Sequence, residues 1–297
     1  MRPSETFRPL LCRTMNYALD ALWWRLADPH VRALAAILTA PAPWHSGCEL
    51  PVRTLLGEGG FRYLLALDDD PAPLAARLAA DAPHHGRLGR YAESLLAFWL
   101  DTAPHSRLLA RNLRLSDGLN TAGELDFIAE LSGTPYHIEL ACKYYGAADG
   151  SPDGFVGLNP QDRLTAKAAK LQKQLAAAQS GAGRAALAAA GVSREPRSVS
   201  ILRGTLFAPA AAVWQSPLNP LGWHGLYFDQ WPSENGFSDG LRYTRLPRLS
   251  YLAPARVRED ETQDWRQIRQ EPHGLFAALE RRPDGFWHET ARIMKRG

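Results

Sequence analysis

The chain has 297 residues, of which 45% are hydrophobic and 22% charged, and its formal net charge is +3. This length and apolar content suffice for one large domain or two ordinary ones. The longest apolar stretches, such as residues 95–100, are far shorter than the roughly 18 to 20 residues of a membrane span, and the first residues lack the hydrophobic segment of a signal peptide. We therefore expect a cytoplasmic protein with no membrane partner.

Residues 1–84 are predicted to form an N-terminal helical region. Val31, Leu34 and Leu38 follow Pro29 at helical spacing, and a further short helix is predicted at residues 74–80. Three aspartates before Pro71 indicate a turn or a helix cap between helices. No pattern in this region indicates a chemical function.

Residues 85–208 are predicted to form an α/β core. A helix that begins near Leu88 and ends before Pro104 carries Glu93 at the edge of its apolar face. Three short runs of β-favouring residues follow, at 108–115, 124–131 and 136–145. The links between them are short and contain turn-forming residues, so we expect three antiparallel strands.

A long basic helix is predicted to follow the strands. Asn159 fits a helix cap and Pro160 the first helical position. One flank of the helix carries Arg163, Lys167, Lys170 and Gln174, and residues 160–197 hold seven cations against two anions, a net of +5. Such a basic segment is either a solvated face or a polyanion-binding site. A strand at 199–207 after the helix predicts a crossover connection and a mixed central sheet flanked by helices.

Residues 209–297 form a C-terminal extension that is rich in Trp, Pro and Gly and is expected to pack on the core. Strands are predicted at 224–228 and 248–252, and a closing helix at 275–279. Clustered aromatic residues can stack on nucleic-acid bases, but in irregular segments they more often pack against a neighbouring core, which we expect here.

Acidic residues alternate with apolar ones on two neighbouring predicted strands. On the first, Glu124 and Asp126 should share one face, with Leu125 and Phe127 on the other. On the second, the side chains at alternate positions should lie together, namely His137, Glu139, Ala141 and Lys143. Two carboxylates and a nearby cation are what magnesium-dependent phosphodiester hydrolysis requires. The alternative is a solvated sheet face with Glu and Lys as cross-strand partners, and His137 as a structural histidine rather than a ligand of a transition metal.

The sequence Gly-Glu-Leu-Asp-Phe at 123–127, followed after a hairpin by an acid and a lysine, resembles the core of the PD-(D/E)XK nuclease superfamily. The resemblance implies that Asp126 and Glu139 bind Mg²⁺ or Mn²⁺, that Lys143 is the catalytic lysine, and that Glu93 is an accessory acid. The segments 90–93, 137–143, 157–164 and 246–251 also resemble an uncharacterised bacterial family of no assigned function.

The spacing of Glu139 and Lys143 departs from the superfamily pattern E-x-K. At about 3.3 Å per residue, their Cα atoms should be about 13 Å apart instead of about 7 Å. Lys143 could lean back or a bulge could shorten the path, Lys167 or Lys170 could supply the cation, or the site could have lost catalysis.

We expect a metal-dependent nuclease acting on DNA or RNA, with the basic helix flank positioning the phosphate backbone. Besides Glu93, the accessory or substrate-binding residues would be Glu124, Arg163, Lys167, Lys170 and Gln174. The alternative is a catalytically inactive module of the same fold that binds nucleic acid or a protein partner.

Overall fold

A computed structural model of the chain describes residues 23, 25–81, 86–117, 120–232 and 240–297. Nine strands of this part form one mixed sheet. The strands are β1 Ser106–Asp117, β2 Asn120–Leu131, β3 Thr134–Gly146, β4 Arg197–Ala208, β5 Trp223–Phe228, β6 Arg242–Arg245, β7 Arg256–Val257, β8 Gly274–Arg281 and β9 Trp287–Lys295. Their order in the sheet is β1-β2-β3-β4-β5-β9-β8-β6, with β7 paired to β9. The chain therefore has an α/β fold.

Helices surround this sheet. They are α1 Pro29–Thr39, α2 Val52–Leu56, α3 Gly60–Asp69, α4 Ala72–Ala80, α5 Leu88–Thr102, α6 Leu164–Ala177, α7 Gly181–Ala189 and α8 Trp265–Ile268. Within the described ranges, no helix combines the length and apolar character needed to cross a membrane.

The helices that precede the sheet pack into its largest hydrophobic cluster. Helix α1 begins at Pro29 because the Asp28 carboxylate accepts the backbone N–H groups of His30 and Val31, which would otherwise lack partners. Residues 31–39 of α1 are buried, and helix α5 buries most of its length between α1 and the sheet. The helices predicted after Pro29 and at 74–80 correspond to α1 and α4, whereas the prediction for residues 1–22 lies outside the described residues.

Two antiparallel hairpins and one crossover build the centre of the sheet. Strand β1 pairs with β2 and β2 with β3, both antiparallel, whereas β3 and β4 are parallel and are connected through α6 and α7. The three predicted antiparallel strands, the crossover connection and the mixed sheet are therefore confirmed. Gly204 on β4 has φ +136°, and a Cβ atom there would lie 1.7 Å from the Lys143 carbonyl oxygen on β3. Only glycine allows this close approach of the two strands.

The C-terminal region continues the same sheet through β5, β9, β8 and β6. The helix predicted at 275–279 is wrong, since β8 occupies those residues. Every side chain of this run is buried, with Leu275 and Leu279 in one hydrophobic cluster and Phe276 in another. In a short run that is buried on both faces, the apolar residues show no periodicity that would distinguish a strand from a helix. The strand predicted at 248–252 is also wrong, because Arg248–Tyr251 form a 3-10 helix after Pro247.

The tryptophans of this region pack against protein, as predicted. The ring of Trp231 makes edge contacts with Trp265 and Phe276, both at a centroid distance of 5.2 Å. Trp214 stacks on His224 at 3.7 Å. These half-buried tryptophans therefore make packing contacts with neighbouring rings of the same region.

Candidate active site

Asp126 lies at the point where strands β2 and β3 part. Their antiparallel pairing runs from Leu131 and Thr134 to Phe127 and Ile138. Just beyond the last pair, Asp126 Oδ2 accepts a hydrogen bond from the backbone N–H of Leu140 at 3.0 Å. The carboxylate is thereby held against β3, beside Glu139.

Glu139 is a carboxylate inside the protein, with a relative exposure of 1%. Its Oε1 lies 2.9 Å from His137 Nε2, and its Oε2 accepts a hydrogen bond from Gln174 Nε2 on helix α6 at 2.7 Å. His137 is fully buried, and its Nδ1 lies 3.1 Å from the Ser198 hydroxyl on β4. Three elements of the fold therefore fix the position of this carboxylate.

The surroundings of Asp126 disfavour its negative charge. Burial and the charges of Glu139 and Glu93 together raise the pKa of Asp126 to about 7, while the Leu140 N–H and Lys167 oppose the shift. In the described part of the chain, neither Asp126 nor Glu139 forms an ion pair with a lysine or arginine. Two neighbouring carboxylates in such an environment are typical of functional sites.

Further acids lie on the helix α5 side of this pair. Burial raises the pKa of Glu93, and the charges of Glu124 and Glu139 add to the shift, whereas Arg111 opposes it. Arg111 on β1 also contacts Asp81 at 2.8 Å and Ser94 at 3.3 Å, so it links α5 to the sheet. Glu124 is exposed. Glu93 thus interacts electrostatically with Asp126 and Glu139, and Glu124 interacts with Glu93.

Lys143 is held by another acid. Its Nζ donates to both carboxylate oxygens of Asp162, at 2.8 and 2.7 Å, and Tyr145 donates to the same carboxylate at 2.9 Å. Asp162 lies in the turn before α6, so this ion pair fastens the start of the crossover to β3. The amine of Lys143 is directed to that turn in this structure.

Lys167 on α6 is the cation that interacts electrostatically with both acids of the pair. Burial lowers its pKa, Lys143 adds to the shift, and Asp126 and Glu139 oppose it. Its Nζ lies 3.4 Å from Gln174 Oε1, so Gln174 connects Lys167 to Glu139. Lys170 is exposed on the same helix.

Helix α6 begins four residues later than predicted. Asn159 Oδ1 accepts the N–H of Gln161 within a turn, and Arg163 is extended and caps the helix with no side-chain hydrogen bond. The Asn-Pro pair therefore forms a turn instead of a helix start, because the Asp162 side chain is engaged by strand β3. Arg163 nevertheless stays at the exposed end of the basic flank.

The alternation of faces differs between the two acidic strands. On β3 it follows the prediction, since His137 contacts Glu139 and Ala141 packs in the same cluster as Leu171 of α6. On β2 the prediction that Leu125 and Phe127 share one face is wrong, because they pack in different hydrophobic clusters. Opposite them, Asn112 on β1 has φ +54°, which interrupts the regular alternation of the pair.

The donor atoms at this site fit a hard divalent cation. Mg²⁺ prefers carboxylate oxygen and is commonly held by one or two carboxylates, with water and substrate phosphate completing its shell. Asp126 and Glu139 provide two such groups, and in the described ranges neither is paired with a lysine or arginine. Among the residues that the structure describes, no group of three or more His, Cys, Asp or Glu side chains has the geometry of a metal site.

Several contacts of the site have no counterpart in the sequence pattern. Asp162, Ser198 and Arg111 contact or influence predicted site residues from outside the two acidic strands. Asp162 adjoins the basic flank, but nothing in its neighbours indicates a partner on β3. Ser198 lies opposite His137 only because of the parallel register of β3 and β4.

A family model described as a domain of unknown function (DUF1853) matches residues 20–294. No curated protein and no solved structure matches the chain.

Proposed function

The chain belongs to the DUF1853 family, and we propose that this member is a metal-dependent phosphodiesterase that cleaves DNA or RNA, with Asp126 and Glu139 holding Mg²⁺ or Mn²⁺. The succession of a helix with Glu93, three antiparallel strands, helix α6 and a parallel strand supports the resemblance to PD-(D/E)XK nucleases. Fold alone does not imply function, so the proposal depends on the site.

The observation that carries the proposal is that, among the described residues, neither carboxylate of the pair forms an ion pair with a lysine or arginine. Glu139 is buried and is held by His137 and Gln174, and the pKa of the neighbouring Asp126 is raised to about 7. An uncompensated carboxylate inside a protein costs free energy unless a proton or a cation neutralises it. A divalent cation shared by both carboxylates would neutralise the pair.

The remaining groups would position a phosphodiester. A bound Mg²⁺ lowers the pKa of a water molecule and offsets the charge that develops on the phosphate. Lys167 interacts electrostatically with both carboxylates, and its Nζ contacts Gln174. The exposed Arg163 and Lys170 on the same flank would contact phosphates of the nucleic-acid backbone.

The test is cleavage of end-labelled single-stranded, duplex and branched DNA and RNA, in Mg²⁺, in Mn²⁺ and in EDTA. We expect metal-dependent cleavage of at least one substrate and a loss of at least about 100-fold in Asp126→Asn and in Glu139→Gln. Glu130→Gln is the matched control, because Glu130 lies on the same strand as Asp126 but pairs with Arg107 at 2.9 Å. Absence of cleavage with every substrate, or full activity of Asp126→Asn, refutes the proposal.

A binding module without catalysis is the second candidate. It is favoured by the ion pair of Lys143 with Asp162, which directs the strand lysine to the turn before α6. This candidate predicts salt-sensitive binding of nucleic acid, or binding of a protein partner, without turnover. Equilibrium binding of the same labelled substrates in EDTA, combined with the cleavage assay, distinguishes the two.

A further inference from the structure

We propose that His137 is a positioning residue that fixes the orientation of the Glu139 carboxylate for metal binding, as the middle member of a hydrogen-bonded chain from Ser198 through His137 to Glu139. This inference rests on the proposed function, because it assigns His137 a role only if Glu139 binds a cation. His137 would not touch the cation or the substrate.

The chemistry of the acceptor sets the direction of this chain. A carboxylate that binds a cation can only accept hydrogen bonds, so in the metal-binding state the contact of 2.9 Å to Glu139 Oε1 requires a proton on His137 Nε2. On the other side of the ring, Nδ1 lies 3.1 Å from the Ser198 hydroxyl, which can either donate or accept. The backbone register supports this geometry, since His137 pairs with Ser198 between β3 and β4.

Glu139 is held from two sides. His137 contacts Oε1 from its own strand, and Gln174 donates to Oε2 from α6 at 2.7 Å. Each carboxylate oxygen keeps a further lone pair that can bind a cation. With the His137 contact removed, only Gln174 restrains the carboxylate, which can then rotate.

The identity of these partners distinguishes a metal-binding role from a structural one. A buried carboxylate that serves only stability is usually paired with Lys or Arg. His137 and Gln174 hold Glu139 instead, and among the described residues no lysine or arginine forms an ion pair with it. The carboxylate is therefore fixed in position while no such ion pair competes with a metal cation.

Two substitutions of the same histidine separate its two contacts. The amide nitrogen of glutamine reaches about as far from the backbone as Nε2 of histidine, so His137→Gln keeps a donor to Glu139. The amide nitrogen of asparagine reaches only about as far as Nδ1, so His137→Asn removes that donor. The probe is Mn²⁺ alone, titrated into the full chain and followed by the electron paramagnetic resonance of free Mn²⁺. Loss of a residue that orients a metal ligand typically weakens binding about 10- to 100-fold. We expect a loss of at least about 10-fold for His137→Asn and less than about 3-fold for His137→Gln.

Urea unfolding establishes that the two variants are equally folded. Equal Mn²⁺ affinity of His137→Asn and wild type overturns the inference and leaves the proposed function standing, provided that the wild type binds Mn²⁺ and cleaves its substrate. A wild type that binds no Mn²⁺ overturns both. If neither histidine variant folds, Ser198→Ala is used instead, because it removes only the hydroxyl that contacts His137 Nδ1. An Mn²⁺ affinity lowered about 3-fold supports the hydrogen-bonded chain from Ser198 to Glu139, and an unchanged affinity overturns it.

Discussion

Replacing Asp126 by asparagine should stabilise the protein, although it removes the proposed metal ligand. Burial and the charge of Glu139 raise the pKa of Asp126 from its ordinary value of 3.8 to about 7. The amide of Asp126→Asn carries no charge, and its Oδ1 can still accept the N–H of Leu140, which is 3.0 Å away in the wild type. The substitution therefore removes the electrostatic cost and keeps the hydrogen bond.

The gain in stability must depend on pH, with a sign set by the raised pKa. A group whose pKa is raised in the folded state contributes fully to stability below its unfolded-state pKa. This contribution is lost as pH rises through the folded-state pKa. With values of 3.8 and about 7, the wild type loses about 2 kcal/mol at pH 5 and about 4 kcal/mol at pH 8 relative to a residue that does not ionise. Asp126→Asn should recover at most these amounts.

Urea unfolding followed by tryptophan fluorescence, in EDTA at pH 5 and pH 8, measures this difference. The control variant Glu130→Gln loses a partly exposed ion pair with Arg107 and should change stability by less than about 1 kcal/mol at either pH. If Asp126→Asn is less stable than the wild type at pH 8, or if its gain is the same at both pH values, the electrostatic account of the site is wrong.

Three further predictions concern the cations and one glycine. Lys167→Met should lower the cleavage rate at least about 10-fold, and more than Lys143→Met does, because Lys167 interacts with both acids whereas Lys143 is paired with a different carboxylate. Single-turnover cleavage measures both variants. A larger loss in Lys143→Met would assign the catalytic role to Lys143. Arg163→Gln and Lys170→Gln should each weaken nucleic-acid binding about equally for all sequences. Each should also reduce the steepness of the plot of log binding constant against log salt concentration by about 1. Fluorescence anisotropy at several salt concentrations measures this slope, and an unchanged slope would exclude phosphate contacts. Gly204→Ala should cost about 3 kcal/mol or more in urea unfolding, because its Cβ would collide with the β3 backbone; a wild-type midpoint would show that the two strands do not approach so closely.

Much of the central fold follows from local patterns. Short links between β-favouring runs predict the hairpins of β1, β2 and β3, and a strand after a long helix predicts the parallel pairing of β4. The run at 275–279 could not be assigned in this way, since a strand buried on both faces lacks the alternation that identifies strands at a surface.

The candidate site was predictable where it lies on the two acidic strands and on helix α6. The short hairpin link makes the strands of Asp126 and Glu139 neighbours, and helical spacing places Lys167 and Gln174 on one flank. The partner of Lys143 depends on a turn of residues 157–163 that the Asn-Pro pair does not predict, because the turn is stabilised by contacts with β3.

Binding of Mn²⁺ to the wild type, Asp126→Asn and Glu139→Gln is the most direct test of the claim that these two carboxylates form a metal site. Calorimetric titration at pH 8, where the Asp126 carboxyl is mostly ionised, should show a saturable Mn²⁺ site in the wild type. Each variant should bind at least about 10-fold more weakly, while Glu130→Gln matches the wild type. Wild-type affinity in both Asp126→Asn and Glu139→Gln would contradict the account.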